Sequence, residues 1–183
     1  MLKKSQKVAI YMEGHIYSEY GKMGMGVLRY LENEVVCVID EKYSNTNISD
    51  HYSNLKSVPV INDLESAIKL GAEVLILGIA PSGGKVPSDW YPIIKMALSK
   101  GLSIINGLHD LLQNRFSNLI SKKNQWIWDV RVPNFVPEIA TGKAAKLNNK
   151  RLLMVGTDMA CGKMTTALEV LTWSKDCLLY TSD

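Results

Sequence analysis

Arg151-Leu-Leu-Met-Val-Gly156-Thr157-Asp158-Met-Ala-Cys161-Gly162-Lys163-Met164-Thr165-Thr166 is the stretch on which the reading of this chain turns. An apolar strand from Leu152 to Val155 is expected to run into a glycine turn. Gly-Lys and a helix opening with two threonines follow. That order builds a phosphate-binding loop, in which N–H groups of the turn and of the helix start point at an anion and the lysine adds charge. The spacing departs from the usual pattern. Five residues, Thr157 to Cys161, separate Gly156 from Gly162, where four are normal, and Met164 stands where a Mg²⁺-binding hydroxyl is expected. Thr165 comes one place later, turned by about 100° on a helix. A plain glycine turn with a surface lysine is the alternative.

Upstream, strands and helices alternate. Val8–Met12 reads as a buried strand, followed by a loop with Gly14, Gly21 and Gly24 and a helix through Val27, Leu28 and Leu31. Val35–Ile39 is a second strand, ending at Asp40. Gly21-x-x-Gly24-x-Gly26 inverts the dinucleotide fingerprint, and Asp40 follows too soon for a standard ribose contact. Residues 41–57, rich in Asn and Ser, read as a surface loop. Val58–Ile61 is a short strand, and Asn62 or Asp63 caps a helix that stops at Gly71. Glu73–Leu77 is apolar without alternation, as in a parallel strand covered on both faces. Ser88 is expected to cap a helix ending at Gly101, Leu102–Ile105 is another strand, and Gln125–Trp128 one more, with Trp126 and Trp128 on one packed side. The chain divides into a domain at 1–131, a linker at 132–150, the start of a second domain at 151–176, and a tail at 177–183 that breaks the helical pattern.

The alternation predicts an α/β protein with a Rossmann-like parallel sheet. Ligands of such sheets gather at the carboxyl ends of the strands. Asp40, Gly78–Lys85, Gly107–Asp110 and Asp129–Arg131 all fall there, and the reading predicts a shared crevice. Gly83, Gly84 and Lys85 suit an anion or form a plain connector. His109, beside Asp110, suits a general acid or base, or makes a local helix-start bond. Arg131 suits a substrate carboxylate, or pairs with Asp129. His15 and His51 lie in polar loops and receive no role.

Bulk properties bound the class. The 183 residues are 46% hydrophobic, enough for a core, and a formal net charge of +3 is too small and dispersed for a nucleic-acid footprint. Three scattered cysteines form no disulfide framework and no metal-ligand spacing, consistent with a reducing cytoplasm. No apolar run is long enough to span a membrane or serve as a signal peptide. The expected partner is a small molecule, with self-association left open.

Gly26-Val-Leu-Arg29-Tyr30, Val38-Ile-Asp40, Gly78 to Gly84, Gly107-Leu-His109-Asp110, Asp129-Val-Arg131 and the Gly156–Thr166 loop occur in order. As a set they resemble a family of bacterial and archaeal two-domain proteins long catalogued as a domain of unknown function. Members of its DgcN type are described as D-glutamate N-acetyltransferases. The resemblance implies a Rossmann-like N-terminal domain joined to a P-loop domain similar to dethiobiotin synthetase, in which Met after the lysine is usual. One departure is Met159 where the family has cysteine, with Cys161 at a position usually small and apolar, which favours a packing role for that thiol.

The resemblance further implies acetyl transfer from acetyl-CoA to a D-amino acid. Gly156, Thr157, Asp158, Gly162, Lys163, Thr165 and Thr166 would bind the cofactor's phosphates. Arg131 or Lys85 would take the substrate carboxylate, with Gly83, Gly84 and Asp40 around it, and His109 would be the base. It also marks the chain as an N-terminal fragment, expected to be inactive alone. An ATP- and Mg²⁺-using ligase or kinase and a non-catalytic nucleotide-binding protein are the alternatives.

Overall fold

The computed structural model describes residues 2–133, 135–136, 138–158 and 161–176. It divides into two compact units, Met1–Asn134 and Phe135–Asp183. In the first, the continuous apolar runs become β1 (Val8–Tyr11), β2 (Val35–Ile39), β4 (Pro59–Ile61), β5 (Val74–Leu77), β6 (Ser103–Asn106) and β7 (Ile127–Asp129), with a two-residue β3 (Thr46–Asn47). The sheet order is β3-β4-β2-β1-β5-β6-β7, all parallel except the β3–β4 pair at one edge. β1 and β5 are buried at every residue. One apolar cluster on Tyr11, Ile39, Leu77 and Ile104 packs with α4 (Tyr91–Ser99), and a second, on Ile10, Val38 and Ile76, packs with α1 (Lys22–Tyr30). Burial on both faces is why these strands lack alternation. Trp126 and Trp128 pack partly buried against the second cluster.

Strand order reverses between β1 and β5, where ligands of open α/β sheets usually enter. Here that gap is closed by close packing. Gly24 N–H donates to the Gly78 carbonyl at 2.7 Å, and a Cβ on Gly78 would lie 3.0 Å from Gly24 Cα. A Cβ on Gly24 would fall 2.5 Å from Met12 Sδ. These glycines bring helix and strands together, which accounts for a spacing unlike the dinucleotide fingerprint.

Two local expectations need correction, and a third is met. The polar 41–57 stretch contains β3 and a helical turn, α2 (Ile48–His51), because Ile48 is fully buried and Asn47 with Asp50 forms a capping box. Ser88 makes no side-chain cap; Ser88–Trp90 is a 3₁₀ turn, and α4 starts with Pro92 at its first turn, where a missing N–H is harmless. Asp63, one of the two expected caps, accepts the Ser66 N–H at 2.7 Å and opens α3 (Leu64–Lys69).

The second unit holds a 3₁₀ turn (Lys143–Lys146) and α6 (Lys163–Asp176). Leu152–Val155 joins no β-ladder. The described residues of this unit supply no neighbouring strand, and Leu152, Leu153 and Val155 remain 74–80% exposed. The expected tail at 177–183 lies outside the described residues. Among the described residues, no helix is long and apolar enough to cross a membrane.

Candidate functional site

Three of the four expected clusters meet at the carboxyl ends of β5, β6 and β7. Gly83 and Gly84 both take positive φ, at 77° and 65°, and turn the post-β5 loop toward β6. The His109 N–H donates to the Gly84 carbonyl at 2.8 Å, and the imidazole lies against Gly84, where an added Cβ would sit 2.4 Å from His109 Cδ2. Val86 N–H donates to Asp110 Oδ2 at 2.6 Å. The acid beside His109 therefore holds the glycine loop and does not orient the imidazole. Among the described residues, the exposed His109 ring has no hydrogen-bond partner, and its Cδ2–Nε2 edge lies against Gly84.

Asp129 is buried and committed. Its Oδ1 accepts from Asn106 Nδ2 (2.8 Å) and Leu112 N–H (3.0 Å), and its Oδ2 accepts from Gln113 N–H (2.9 Å). It anchors the start of α5 (Leu112–Phe116) to the tip of β6. Asn106 completes the knot, donating also to the Asp110 carbonyl at 2.7 Å and accepting from Leu108 N–H at 3.0 Å. Arg131 does not pair with Asp129. Its Nε donates to the Gly107 carbonyl at 2.8 Å while the side chain stays exposed. Lys85 is exposed beside the loop.

These ties frame an open cavity of about 480 Å³ lined by Val86, Tyr91, His109, Leu112, Asn114 and Arg115, among others. The Arg115 guanidinium lies over the Tyr91 ring at 4.8 Å, and Phe116 meets that ring edge-on. Stacking holds Arg115 without using its donors. The cavity thus offers an imidazole, a guanidinium and the Asn114 amide in a mainly polar lining that also includes the Asp110 carboxylate, groups that can take a small molecule carrying a carboxylate. Sequence reasoning missed Arg115 and Asn114. They lie on a helix whose pattern reads as ordinary surface, and only the Asp129 anchor turns them toward His109.

Asp40 lies elsewhere. It is fully buried at the end of β2, its Oδ1 accepts from Lys42 N–H at 3.1 Å, and its Oδ2 has no partner among the described residues. Both Glu13 carboxylate oxygens accept from Glu41 N–H at 3.1–3.2 Å. Burial, then the charges of Glu13, Asp89 and Asp40, pushes Tyr11 up to about 12.

In the second unit, the phosphate loop closes on its own lysine. Lys163 Nζ donates to the Asp158 carbonyl and to Cys161 Sγ (3.2 Å), and Cys161 Sγ donates to the Asp158 carbonyl at 3.2 Å. A Cβ on Gly156 would fall 2.4 Å from Cys161 Sγ, and Gly162 has φ +92°. Thr166 N–H and Oγ1 both donate to the Gly162 carbonyl, at 2.9 and 3.0 Å. Met164 is 72% exposed. The opening turn of α6 and the Lys163 ammonium fit a phosphate, which they would hold together with Thr165; Thr157 lies in the loop beside them.

Fold and loop together define a Rossmann-like domain followed by a P-loop element. Two family descriptions match in that order: a domain of unknown function, DUF1611_N, Rossmann-like, over residues 41–133, and DUF1611 (DUF1611_C), a P-loop domain, over residues 138–177. The chain belongs to the DUF1611 family. A solved DUF1611 family protein from Anabaena variabilis superposes with a TM-score of 0.87 at 38% identity, covering 93% of this chain and 50% of that one. Two curated relatives are named D-glutamate N-acetyltransferase. The Pseudoalteromonas protein is 47% identical over 107 residues and the Tritonibacter scottomollicae protein 39% identical over 107 residues. Each match spans 57% of this chain and about a third of the relative, 31% and 32% respectively.

Proposed function

We propose that this chain carries the amine-acceptor site and phosphate loop of an acyl-CoA-dependent N-acetyltransferase acting on an acidic D-amino acid, D-glutamate first. The observation that carries the reading is the cavity at the strand ends, where the unpartnered His109 imidazole and the stacked Arg115 guanidinium face one space. The two curated relatives supply the reaction class by their names. Arg115 takes a substrate carboxylate as a planar fork, with Lys85 and Arg131 exposed on the loops after β5 and β7. His109 would take a proton from the substrate ammonium, leaving the amine free to accept the acyl group. When bound, coenzyme A would supply the acetyl thioester and leave as the free thiol, and Lys163 with the first turn of α6 would hold its phosphate.

The test uses a chain carrying both domains, incubated with acetyl-CoA and D-glutamate while free thiol is followed. Thiol release that depends on D-glutamate is expected. Arg115→Ala should raise KM for the amino acid more than it lowers kcat, and His109→Gln should lower kcat by about 100-fold. No thiol release with any amino acid overturns the reading. The P-loop favours a second one, an ATP-dependent ligase or kinase, which predicts ADP formation in place of thiol.

A further inference from the structure

Away from the cavity, side chains from the loop after β1 and from the β3–α2 segment form a chain of hydrogen bonds whose direction follows from its ends. Thr46 Oγ1 lies 2.6 Å from the Tyr43 carbonyl, which only accepts, so the threonine proton is committed there. The same oxygen lies 2.7 Å from His51 Nε2 and must accept from it. In the neutral imidazole this leaves Nδ1 bare, and Nδ1 accepts the hydroxyl proton of Tyr17. Proton donation runs Tyr17 to His51 to Thr46 to the backbone.

The rings are held as firmly as the protons. Tyr17 meets Tyr43 and His51 edge-on at 5.1 and 5.0 Å and tilts over Tyr52 at 5.8 Å. Tyr52 is itself tied to the Ile16 carbonyl at 2.9 Å. Yet Tyr17 is 54% exposed. A packing role needs the rings alone, and phenylalanine would fill it. Hydroxyl, base and a third group orienting the base are the parts of an activated oxygen nucleophile.

We propose that Tyr17 is a histidine-activated nucleophile that accepts an acyl group from an activated acyl donor, an acyl thioester in the cell. Tyr17 Oη forms a bond to the acyl carbon as its proton passes to His51 Nδ1. The carbon–sulfur bond breaks with its electron pair going to sulfur, and the imidazolium returns the proton to that thiolate. A tyrosyl ester and a free thiol result, with no redox change. The inference rests on the acyl-transfer reading only for the class of donor.

The experiment treats the chain with p-nitrophenyl acetate and maps hydroxylamine-sensitive acetyl groups by peptide mass spectrometry, since aryl esters are cleaved and lysine amides are not. Of the eight tyrosines, Tyr17 is expected to carry nearly all the ester. Tyr17→Phe, which keeps the ring, removes it. His51→Gln slows it on the order of 100-fold, and Thr46→Val, which frees the imidazole, slows it as well. Ester distributed over tyrosines by exposure, or a Tyr17 rate unchanged by the His51 and Thr46 substitutions in chains that retain their circular dichroism, overturns the proposal. Mapping in the unsubstituted chain decides the matter if a variant fails to fold. The probe contains neither coenzyme A nor an amino acid, so its failure and the failure of N-acetyl transfer are separate results.

Discussion

Cys161 and Cys37 carry the same thiol in opposite surroundings. Hydrogen bonding by Lys163, then by the loop backbone at Asp158, draws the exposed Cys161 thiol below its ordinary range, while burial pushes Cys37 up to about 12. Alkylation rates at neutral pH follow the thiolate fraction. Iodoacetamide should label Cys161 well ahead of Cys37, and Lys163→Ala should slow that labelling; faster labelling of Cys37 would contradict the loop geometry. Glu13 gives a pH-dependent case. Burial, followed by the charges of Asp40 and Glu41, raises its carboxyl against the opposing Glu41 N–H bond. A raised carboxyl favours the folded state while protonated, and that contribution disappears as pH rises through the folded pKa. Glu13→Gln should therefore melt higher than the parent at neutral pH, with the two curves converging below the usual carboxylate range. At Gly84, alanine meets His109 at 2.4 Å in a left-handed backbone. Thermal unfolding should show a loss of about 1–2 kcal/mol, with displaced His109 ring resonances.

At the scale of elements, α5 is the piece that brings chemistry to the cavity, and Asp129 is what holds it. The carboxylate serves two orphan N–H groups of the helix start and the Asn106 amide together. Asp129→Ala strands these buried donors, with an expected loss of about 2–4 kcal/mol. Because Arg115 rides on α5, the D-glutamate binding proposed above should weaken along with stability. Urea denaturation and calorimetry of the same variant separate the two, and a variant of unchanged stability would refute the anchoring role. The Asp63 cap behaves conversely to Glu13. Its carboxyl is held low, chiefly by the Ser66 N–H, so its contribution is present above the unfolded pKa and is lost as pH falls through the folded one. Asp63→Ala should lower the melting temperature at neutral pH, by an amount that shrinks in acid.

For the molecule as a whole, both apolar clusters draw only on the first unit, Met1–Asn134. Residues 1–134 expressed alone should fold cooperatively, with dispersed amide resonances and one unfolding transition; a collapsed species lacking dispersion would refute this. In the second unit no described side chain is buried, and Leu152, Leu153 and Val155 face solvent. The predicted strand there illustrates how far local sequence carries. An apolar run specifies a strand only where a neighbouring ladder accepts its N–H and C=O groups. In the first unit, Val8–Tyr11, Val35–Ile39 and Val74–Leu77 find such neighbours and form where their sequence places them. Leu152–Val155 finds none among the described residues.

The sequence by itself determined the α/β class, the central parallel strands and the loops that crowd their carboxyl ends, because apolar periodicity and glycine placement are local properties. It also located the phosphate loop and the loop after β6 that carries His109. Only the tertiary structure decided which partners those residues take. Asp110 serves Val86, Asp129 serves α5, and Arg131 serves the Gly107 carbonyl, so the cationic group left facing His109 in the cavity is Arg115. His51, a polar-loop residue in one dimension, becomes the middle of a directed chain from Tyr17 to Thr46. Hydrogen-bond partners tens of residues apart are chosen by the geometry of strand ends, and no spacing along the chain encodes that choice.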